Sequence, residues 1–367
     1  MKILHIADCH LDSAMESHLP ARTAKSRRRE LLLTFSDVME GARSEGVSLV
    51  LIAGDLFDTE VPSASAVRYV LDCIASHADM TFLYIEGNHD AGALAAYELP
   101  DNLHRIPKGT AEVFRFGDVC VYAAGYATPG SVIEAFTPQK EKKNIFLLHG
   151  TLSTSRSDTR EEIIPHALFR GKPVDYLALG HFHSYTPMRL EDGGLACYAG
   201  TPEGRGFDET GKCGVILFDS DTLCASFVPT ARRLIHDVRV DVSGAETLNE
   251  IERRVREAIA EIRKEDMVTL TLVGEIEDVH LKQPEQIRLL LDGKFFFSKL
   301  KDATRLRLRP EGYENDVSLR GEFVRRVMQN EALSEEDKQR VLTFGLRALE
   351  GEMPEEVIYE SREGGRR

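Results

Sequence analysis

The stretch that decides the fold runs from Ser48 to Asp58 and reads SLVLIAGDLFD. Leu49, Val50, Leu51 and Ile52 form a continuous apolar run, the pattern of a strand buried on both faces of a parallel sheet. Gly54 follows and lets the chain turn sharply as it leaves the sheet. Asp55 then falls at the carboxyl end of a central strand, where open α/β sheets carry their chemistry.

Working outward, Lys2 to Ala7 reads as a first strand ending in Asp8, Cys9 and His10. Leu31, Leu32, Phe35, Val38, Met39 and Ala42 have the spacing of an amphipathic helix over Arg27 to Arg43. Pro62 and Ser63 open a second helix through Val67, Val70, Leu71 and Ile74. Met80 to Ile85 is a third strand, ending in Glu86, Gly87, Asn88, His89 and Asp90. The order β-α-β-α-β predicts an α/β fold, a sheet flanked by helices. Further strands are expected at Val113–Phe116, Val119–Ala124, Asn144–Leu148, Val174–Leu179, Leu195–Tyr198, Val215–Phe218 and Ala225–Val228. Two of these end in His149-Gly150 and in Gly180-His181-Phe182-His183.

The character changes near Ala231. Over 233–312 a small α+β unit is expected, with a strand at His236–Val242, a helix marked by Leu248, Ile251, Val255, Ile259 and Ile262, and a strand at Val268–Leu272. A short helix at Ile287–Leu291 and separate strands near Phe295–Phe297 and Leu306–Leu308 complete it. Over 313–352 the chain becomes helical. Leu319, Phe323 and Val327 mark one stripe, and Leu342, Leu346 and Leu349 a second. Two such short helices need something further to cover their apolar faces. Residues 353–367, acidic and then basic, read as a disordered tail.

The chain has 367 residues, 42% hydrophobic and 29% charged, which fits a globular protein of two or three domains. The formal net charge is -14, and both halves are acidic, which argues against a stand-alone nucleic-acid binder. Six cysteines without a CxxC pair predict free thiols and a reducing, cytoplasmic setting. No signal peptide or membrane span is expected.

The strand ends together carry Asp8 and His10, Asp55, Asn88 and His89, His149, and His181 and His183. These are carboxylate, imidazole and amide donors with no thiolate, a set suited to Mn²⁺, Zn²⁺ or Fe²⁺ rather than to Ca²⁺. Eight donors exceed the needs of one ion but suit two ions sharing a carboxylate, an arrangement that clamps a phosphoryl group. Singly each piece is an ordinary turn or strand end. Only Gly-His-Phe-His is more specific, because period-2 alternation puts both imidazoles on one face.

DxH, GD, GNHD, HG and GHxH in this order resemble the calcineurin-like metallophosphoesterase superfamily. ADCHLDS (Ala7–Ser13) and GDLFD (Gly54–Asp58) are similar to its DNA-repair exonuclease branch, the SbcD and YhaO type. The motif resemblance covers about the first 205 residues. It implies a four-layer metallophosphoesterase core over 1–232, made of central mixed β-sheets between helices. A capping domain over 233–312 and ATPase-binding helices over 313–352 are then implied by position. It further implies two divalent ions, Mn²⁺ above all, with Zn²⁺, Fe²⁺ or Mg²⁺ as substitutes. Asp8, His10 and His183 would hold one, Asn88, His149 and His181 the other, and Asp55 would bridge. His89 would face the scissile phosphate, protonating the leaving oxygen or stabilising phosphoryl charge. Asp90 would orient His89. Some members carry a histidine where this chain has Asp58.

The function so implied is hydrolysis of DNA phosphodiester bonds in double-strand break repair, with a coiled-coil ATPase of the SbcC or YhaN kind. Basic runs at Lys25–Arg29, Arg253–Arg256 and Arg305, Arg307 and Arg309 are candidate DNA contacts, the last being the best placed. Leu319, Phe323, Val327, Leu342, Leu346 and Leu349 would dock the ATPase. The alternatives are that these helices pack on their own domain or form a homodimer. For the activity, the alternatives are a phosphoesterase of nucleotides or small diesters, and a non-catalytic scaffold.

Overall fold

The computed structural model describes residues 1–17, 19–154, 161–276, 283–306, 313 and 316–349. The chain divides into two compact units, Met1–Ile235 and His236–Arg367.

In the first unit the elements are β1 (Lys2–Ile6), α1 (Ala21–Ser44), β2 (Leu49–Ala53), α2 (Ala64–Ser76), β3 (Thr81–Ile85), β4 (Leu103–Ile106), β5 (Ala111–Phe116), β6 (Val119–Ala124), α3 (Gly130–Glu134) and β7 (Lys143–His149). They continue with β8 (Thr151–Ser153), β9 (Ile163–Pro165), β10 (Tyr176–Gly180), β11 (Thr186–Arg189), β12 (Leu195–Tyr198), β13 (Gly214–Asp219) and β14 (Cys224–Pro229). Two six-stranded sheets form, in the orders β14-β13-β1-β2-β3-β4 and β11-β12-β10-β7-β6-β5. β1 to β4 pair in parallel, as do β6, β7, β10 and β12, while antiparallel strands finish three of the four edges, β4 being the parallel one. This is the mixed-sheet α/β architecture expected from the sequence.

One apolar core lies between the sheets. Ile3, Leu49, Leu51, Leu83 and Ile85 from the first meet Val119, Val121, Ile145, Leu147 and Ala178 from the second. Side chains alternate along a strand, so the other faces must also be covered. Val50, Ile52, Phe82 and Tyr84 are fully buried, and α1 and α2 bury the stripes Leu31, Phe35, Val38 and Val67, Val70, Ile74. On the second sheet, Phe146, Leu148, Leu177 and Leu179 are covered by Ile133 of α3, Ile164 of β9 and Phe169. Because the parallel strands of both sheets end at one edge, the loops after β1, β2, β3, β7 and β10 open together.

The second unit contains β15 (Ile235–Asp241), α4 (Leu248–Ala258), β16 (Met267–Ile276), α5 (Pro284–Leu291), β17 (Phe297–Leu306), α6 (Leu319–Met328) and α7 (Glu335–Leu349). Its sheet runs β15-β16-β17, with β16 and β17 parallel. The two short strands expected near Phe295–Phe297 and Leu306–Leu308 are corrected to the single strand β17. Charged Lys299, Lys301 and Asp302 hid it by breaking the apolar run, yet they sit half-buried or exposed on an ordinary ladder.

The expectation of a separate helical segment over 313–352 is also corrected. Val324 and Val327 of α6 and Leu342 and Leu346 of α7 lie in the same apolar cluster as Ile251, Val255, Leu270 and Ile287. Burying two helical stripes of this size against a sheet is worth several kcal/mol, at ~1.5–3 kcal/mol per large side chain. The tail over 353–367 lies outside the described residues. No helix among the described residues is long and apolar enough to cross a membrane. Cys9, Cys73, Cys120, Cys197 and Cys213 are buried free thiols, and Cys224 is exposed.

Candidate metal centre

The shared sheet edge gathers Asp8, His10, Asp55, Asn88, His149, His181 and His183. Asp8, His10 and His183 form one donor cluster; Asp8, Asp55 and His149 form another. Their backbone is unusual. Asp8, His10, Asp55 and His181 all have positive φ, at 48, 42, 49 and 106°. Such angles cost non-glycine residues free energy and persist only where the surroundings enforce them. Glycines supply the room. A Cβ on Gly54 would stand 2.3 Å from His149 Nδ1, one on Gly87 2.1 Å from Asp55 Oδ1, and one on Gly180 1.9 Å from the Ala53 carbonyl oxygen.

Asp55 is central. Its Oδ2 is 3.7 Å from His10 Nε2 and 3.4 Å from His149 Nε2, while its Oδ1 accepts the His89 amide at 3.0 Å. His149 Nδ1 donates to the Ala53 carbonyl at 2.8 Å, which leaves Nε2, 2.9 Å from Asn88 Oδ1, to carry a second proton or to face a cation. The His181 amide donates to both oxygens of fully buried Asp8, at 2.9 and 3.0 Å.

On the other side, His10 Nδ1 is 2.9 Å from Asp58 Oδ1, and His183 Nδ1 is 2.7 Å from Glu209 Oε1. The His183 bond puts that ring's proton on Nδ1, while His10 Nδ1 makes no hydrogen bond among the described residues and is favoured as the protonated nitrogen only by the charge of the Asp58 carboxylate beside it. Their Nε2 atoms face each other at 3.1 Å. Two imidazole lone pairs at that separation repel unless a cation or proton sits with them, so the donors fit a bound metal ion. The electrostatics agree. Burial pushes Asp8 up to about 7, aided by Asp55. Burial opposes charge on His149, yet Asp55 and Asp8 raise it to about 9. Burial likewise opposes ionisation of Asp55, but His149 and His10 hold it well below the usual carboxylate range. The pocket calls for positive charge.

His89 is exposed, with its ring edge-on to His10 at 4.8 Å between centroids. Asp90 does not orient that ring, which corrects the expectation. Its carboxylate accepts from the amides of Leu56, Phe57 and Gly87 and from the Tyr84 hydroxyl, four donors that fill its lone pairs. Asp90 pins the GNHD loop to the GDLF turn and so acts on His89 only through the backbone.

The remaining expectations fare unevenly. Arg27, in the first basic run, is fully buried and bonds Glu30, Glu203 and the Gly204 carbonyl. Arg253, Arg254 and Arg256 pair with Glu257, Glu250 and Glu252 one turn away. Arg305 is exposed on β17, and Arg307 and Arg309 lie outside the described residues. Among the docking candidates, Val327, Leu342 and Leu346 are buried and Phe323 packs on the same core, so these four are corrected to core residues. Leu319 and Leu349 are exposed. Sequence reasoning missed Asp58, Arg205 and Glu209. The one available signal was Arg205-x-x-x-Glu209 in a glycine-rich stretch without apolar periodicity.

The comparisons fit this geometry. The calcineurin-like phosphoesterase family matches residues 1–185. The chain is 25% identical over 305 residues to metallophosphoesterase YhaO of Bacillus subtilis (strain 168), covering 78% of this chain and 74% of that one. It is 26% identical over 239 residues to the DNA double-strand break repair protein Mre11 of Saccharolobus solfataricus, covering 60% of each. With the protein of that name from Methanopyrus kandleri it shares 28% over 293 residues, 70% of this chain and 62% of that one. Donors from both sheets meeting at one edge, on a stretch that the family spans, make this chain a member of the calcineurin-like phosphoesterases.

Proposed function

We propose that the chain hydrolyses phosphodiester bonds of DNA, as an exonuclease or endonuclease in double-strand break repair, with two divalent cations at the sheet edge. The observation that carries this is Asp55 Oδ2 standing between the two sets of imidazoles, 3.7 Å from His10 Nε2 and 3.4 Å from His149 Nε2. In this reading Asp8, His10 and His183 would hold one ion, Asn88, His149 and His181 the other, and Asp55 would serve both. Mn²⁺ suits the mixed donors, and Zn²⁺, Fe²⁺ and Mg²⁺ are the competitors. Such a pair, when bound, supplies Lewis acidity to a phosphoryl group and a nucleophile at neutral pH. The protein's own part is positioning. Exposed His89 stands beside His10 at the mouth, where a ring nitrogen can hand a proton to the leaving oxygen or stabilise phosphoryl charge. Buried Asp90 and Tyr84 hold the loop that presents it.

The Mre11 relatives, named for DNA double-strand break repair, support DNA as substrate. In the same reading a coiled-coil ATPase docks on exposed Leu319 and Leu349 and works with this chain on chromosomal DNA in the cytoplasm. Of the three arginines proposed to contact DNA, Arg305 is the one among the described residues, and it is exposed. A second reading, a nucleotide or small-diester phosphodiesterase, is favoured by the carboxylate pairing of Arg27, Arg253, Arg254 and Arg256. Cleavage of linear duplex DNA in Mn²⁺, alone and with the ATPase, tests the first reading. Turnover of a chromogenic diester with no DNA cleavage in either condition would select the second.

A further inference from the structure

Asp58, Arg205 and Glu209 form a closed chain of contacts around one side of the centre. Arg205 Nη1 donates to Asp58 Oδ1 at 2.6 Å, and its Nη2 and Nε donate to Glu209 Oε1 at 2.8 and 3.1 Å. The two carboxylates in turn face His10 Nδ1 at 2.9 Å and His183 Nδ1 at 2.7 Å. Arg205 Nη2 also lies 3.3 Å from His183 Nδ1, but the nearer carboxylate decides that ring's tautomer. One guanidinium thus ties together two carboxylates, of which Glu209 is hydrogen-bonded to His183 and Asp58 stands in ionic contact with His10.

We propose that Arg205 is a positioning residue that bridges Asp58 and Glu209, holding His10 and His183 with both Nε2 lone pairs converged and so setting the affinity of the ion at that position. The proposal rests on the two-metal reading above. Without a clamp, two imidazoles would swing apart rather than keep their lone pairs 3.1 Å from each other. The planar fork of Arg205 matches this task, because separate nitrogens of one rigid group reach the two carboxylates, whereas a lysine offers a single nitrogen on a flexible stem. His149 has no comparable device, since its Nδ1 is held by a main-chain carbonyl. The clamp therefore acts on one ion and not on the other. It also gives Asp58 a role in this chain: a carboxylate at that position can bind both His10 and Arg205, which a neutral histidine could not do.

The test is Mn²⁺ titration of the metal-free full-length chain by calorimetry, with the histidine Nδ1 tautomers read by ¹⁵N NMR. Arg205→Ala is expected to weaken one of two ions by about 10–100-fold and leave the other within about twofold. It should also scramble the tautomers of His10 and His183 but not that of His149. Arg205→Lys should fall short of full rescue. Asn102→Ala, which removes side-chain donors to the Ile74, His77 and Met80 carbonyls away from the centre, controls for lost fold stability. It should lower the melting temperature and leave both affinities unchanged. Unchanged affinities in Arg205→Ala would overturn the clamp, as would equal weakening of both ions in step with the melting temperature. Wild-type protein binding no ion would remove the two-metal reading and the clamp with it, a failure seen before any variant is made.

Discussion

The two halves of the sheet-edge centre are anchored by different means. On the His149 side the anchor is main chain: the Ala53 carbonyl fixes the ring, and Gly54 and Gly180 lie too close for any side chain. On the His10 and His183 side the anchor is a relay of side chains, Asp58, Arg205 and Glu209. The loop that carries the relay is itself tied down by Glu203, which binds Arg27, Thr34 and the amides of Arg232 and Arg233. The main-chain half is fixed once the two sheets pack. The side-chain half can be loosened one residue at a time, with the fold kept.

Asp55 belongs to both halves, so its loss erases the distinction. Asp55→Ala is expected to remove both ions and bring hydrolysis to background. Metal analysis showing two ions per chain would break the comparison at its centre. His89 belongs to neither half. His89→Ala should keep both ions and lower kcat by about 10²–10⁴-fold, the range for a lost proton-transfer group. Equal cleavage by variant and wild type would take His89 out of the chemistry.

Gly180→Ala sharpens the contrast from the main-chain side. The new Cβ would lie 1.9 Å from the Ala53 oxygen and 2.8 Å from His149 Nδ1. Backbone atoms cannot step aside as a side-chain tip can, so the sheets must part. A loss of about 3 kcal/mol or more is expected in denaturant unfolding, with the His149 ion weakened along with the fold. A variant as stable as wild type would show that this half has the slack attributed to the other.

These two modes of anchoring also explain what was legible in the sequence. Strand and helix periodicity located β1, β2, β3, β7 and β10, because Leu49 to Ile52 and their counterparts are fully buried and hence apolar. Gly54, Gly87 and Gly180 were visible beside the donors because main-chain anchoring leaves glycine as its mark. Arg205 and its partner Glu209 were invisible as a relay to Asp58, since Arg205 meets Asp58 across 147 positions of chain with no periodic pattern. Asp90 was misread for the same reason. A carboxylate next to His89 in sequence turns instead to Tyr84 and three amides. In the second unit, local stripes on α6 and α7 were read correctly as apolar. Their destination was not, because nothing in a stripe says whether its cover comes from the same chain.

The smallest effect expected lies behind the side-chain half. Glu30 receives a two-pronged contact from Arg233, at 2.8 and 2.6 Å, and binds Arg27, the same arginine that holds Glu203. Burial alone would raise its pKa, but Arg233 and Arg27 outweigh burial and hold it below the ordinary value of 4.5. A carboxylate with a depressed folded pKa binds fewer protons folded than unfolded. Its contribution is therefore complete above the unfolded pKa and is lost as pH falls through the folded one. Stability of the wild-type chain should decline below about pH 4.5 with a share belonging to Glu30. Glu30→Gln should cost about 1 kcal/mol at neutral pH and flatten that share of the acid decline. Because Arg27 still holds Glu203 and the Gly204 carbonyl when Glu30 is changed, Arg205 and Glu209 should keep their contacts in this variant, and Mn²⁺ affinity should stay within about twofold. If Glu30→Gln instead weakened one ion as strongly as Arg205→Ala, the side-chain anchor would extend from the relay through Glu203 and Arg27 to α1.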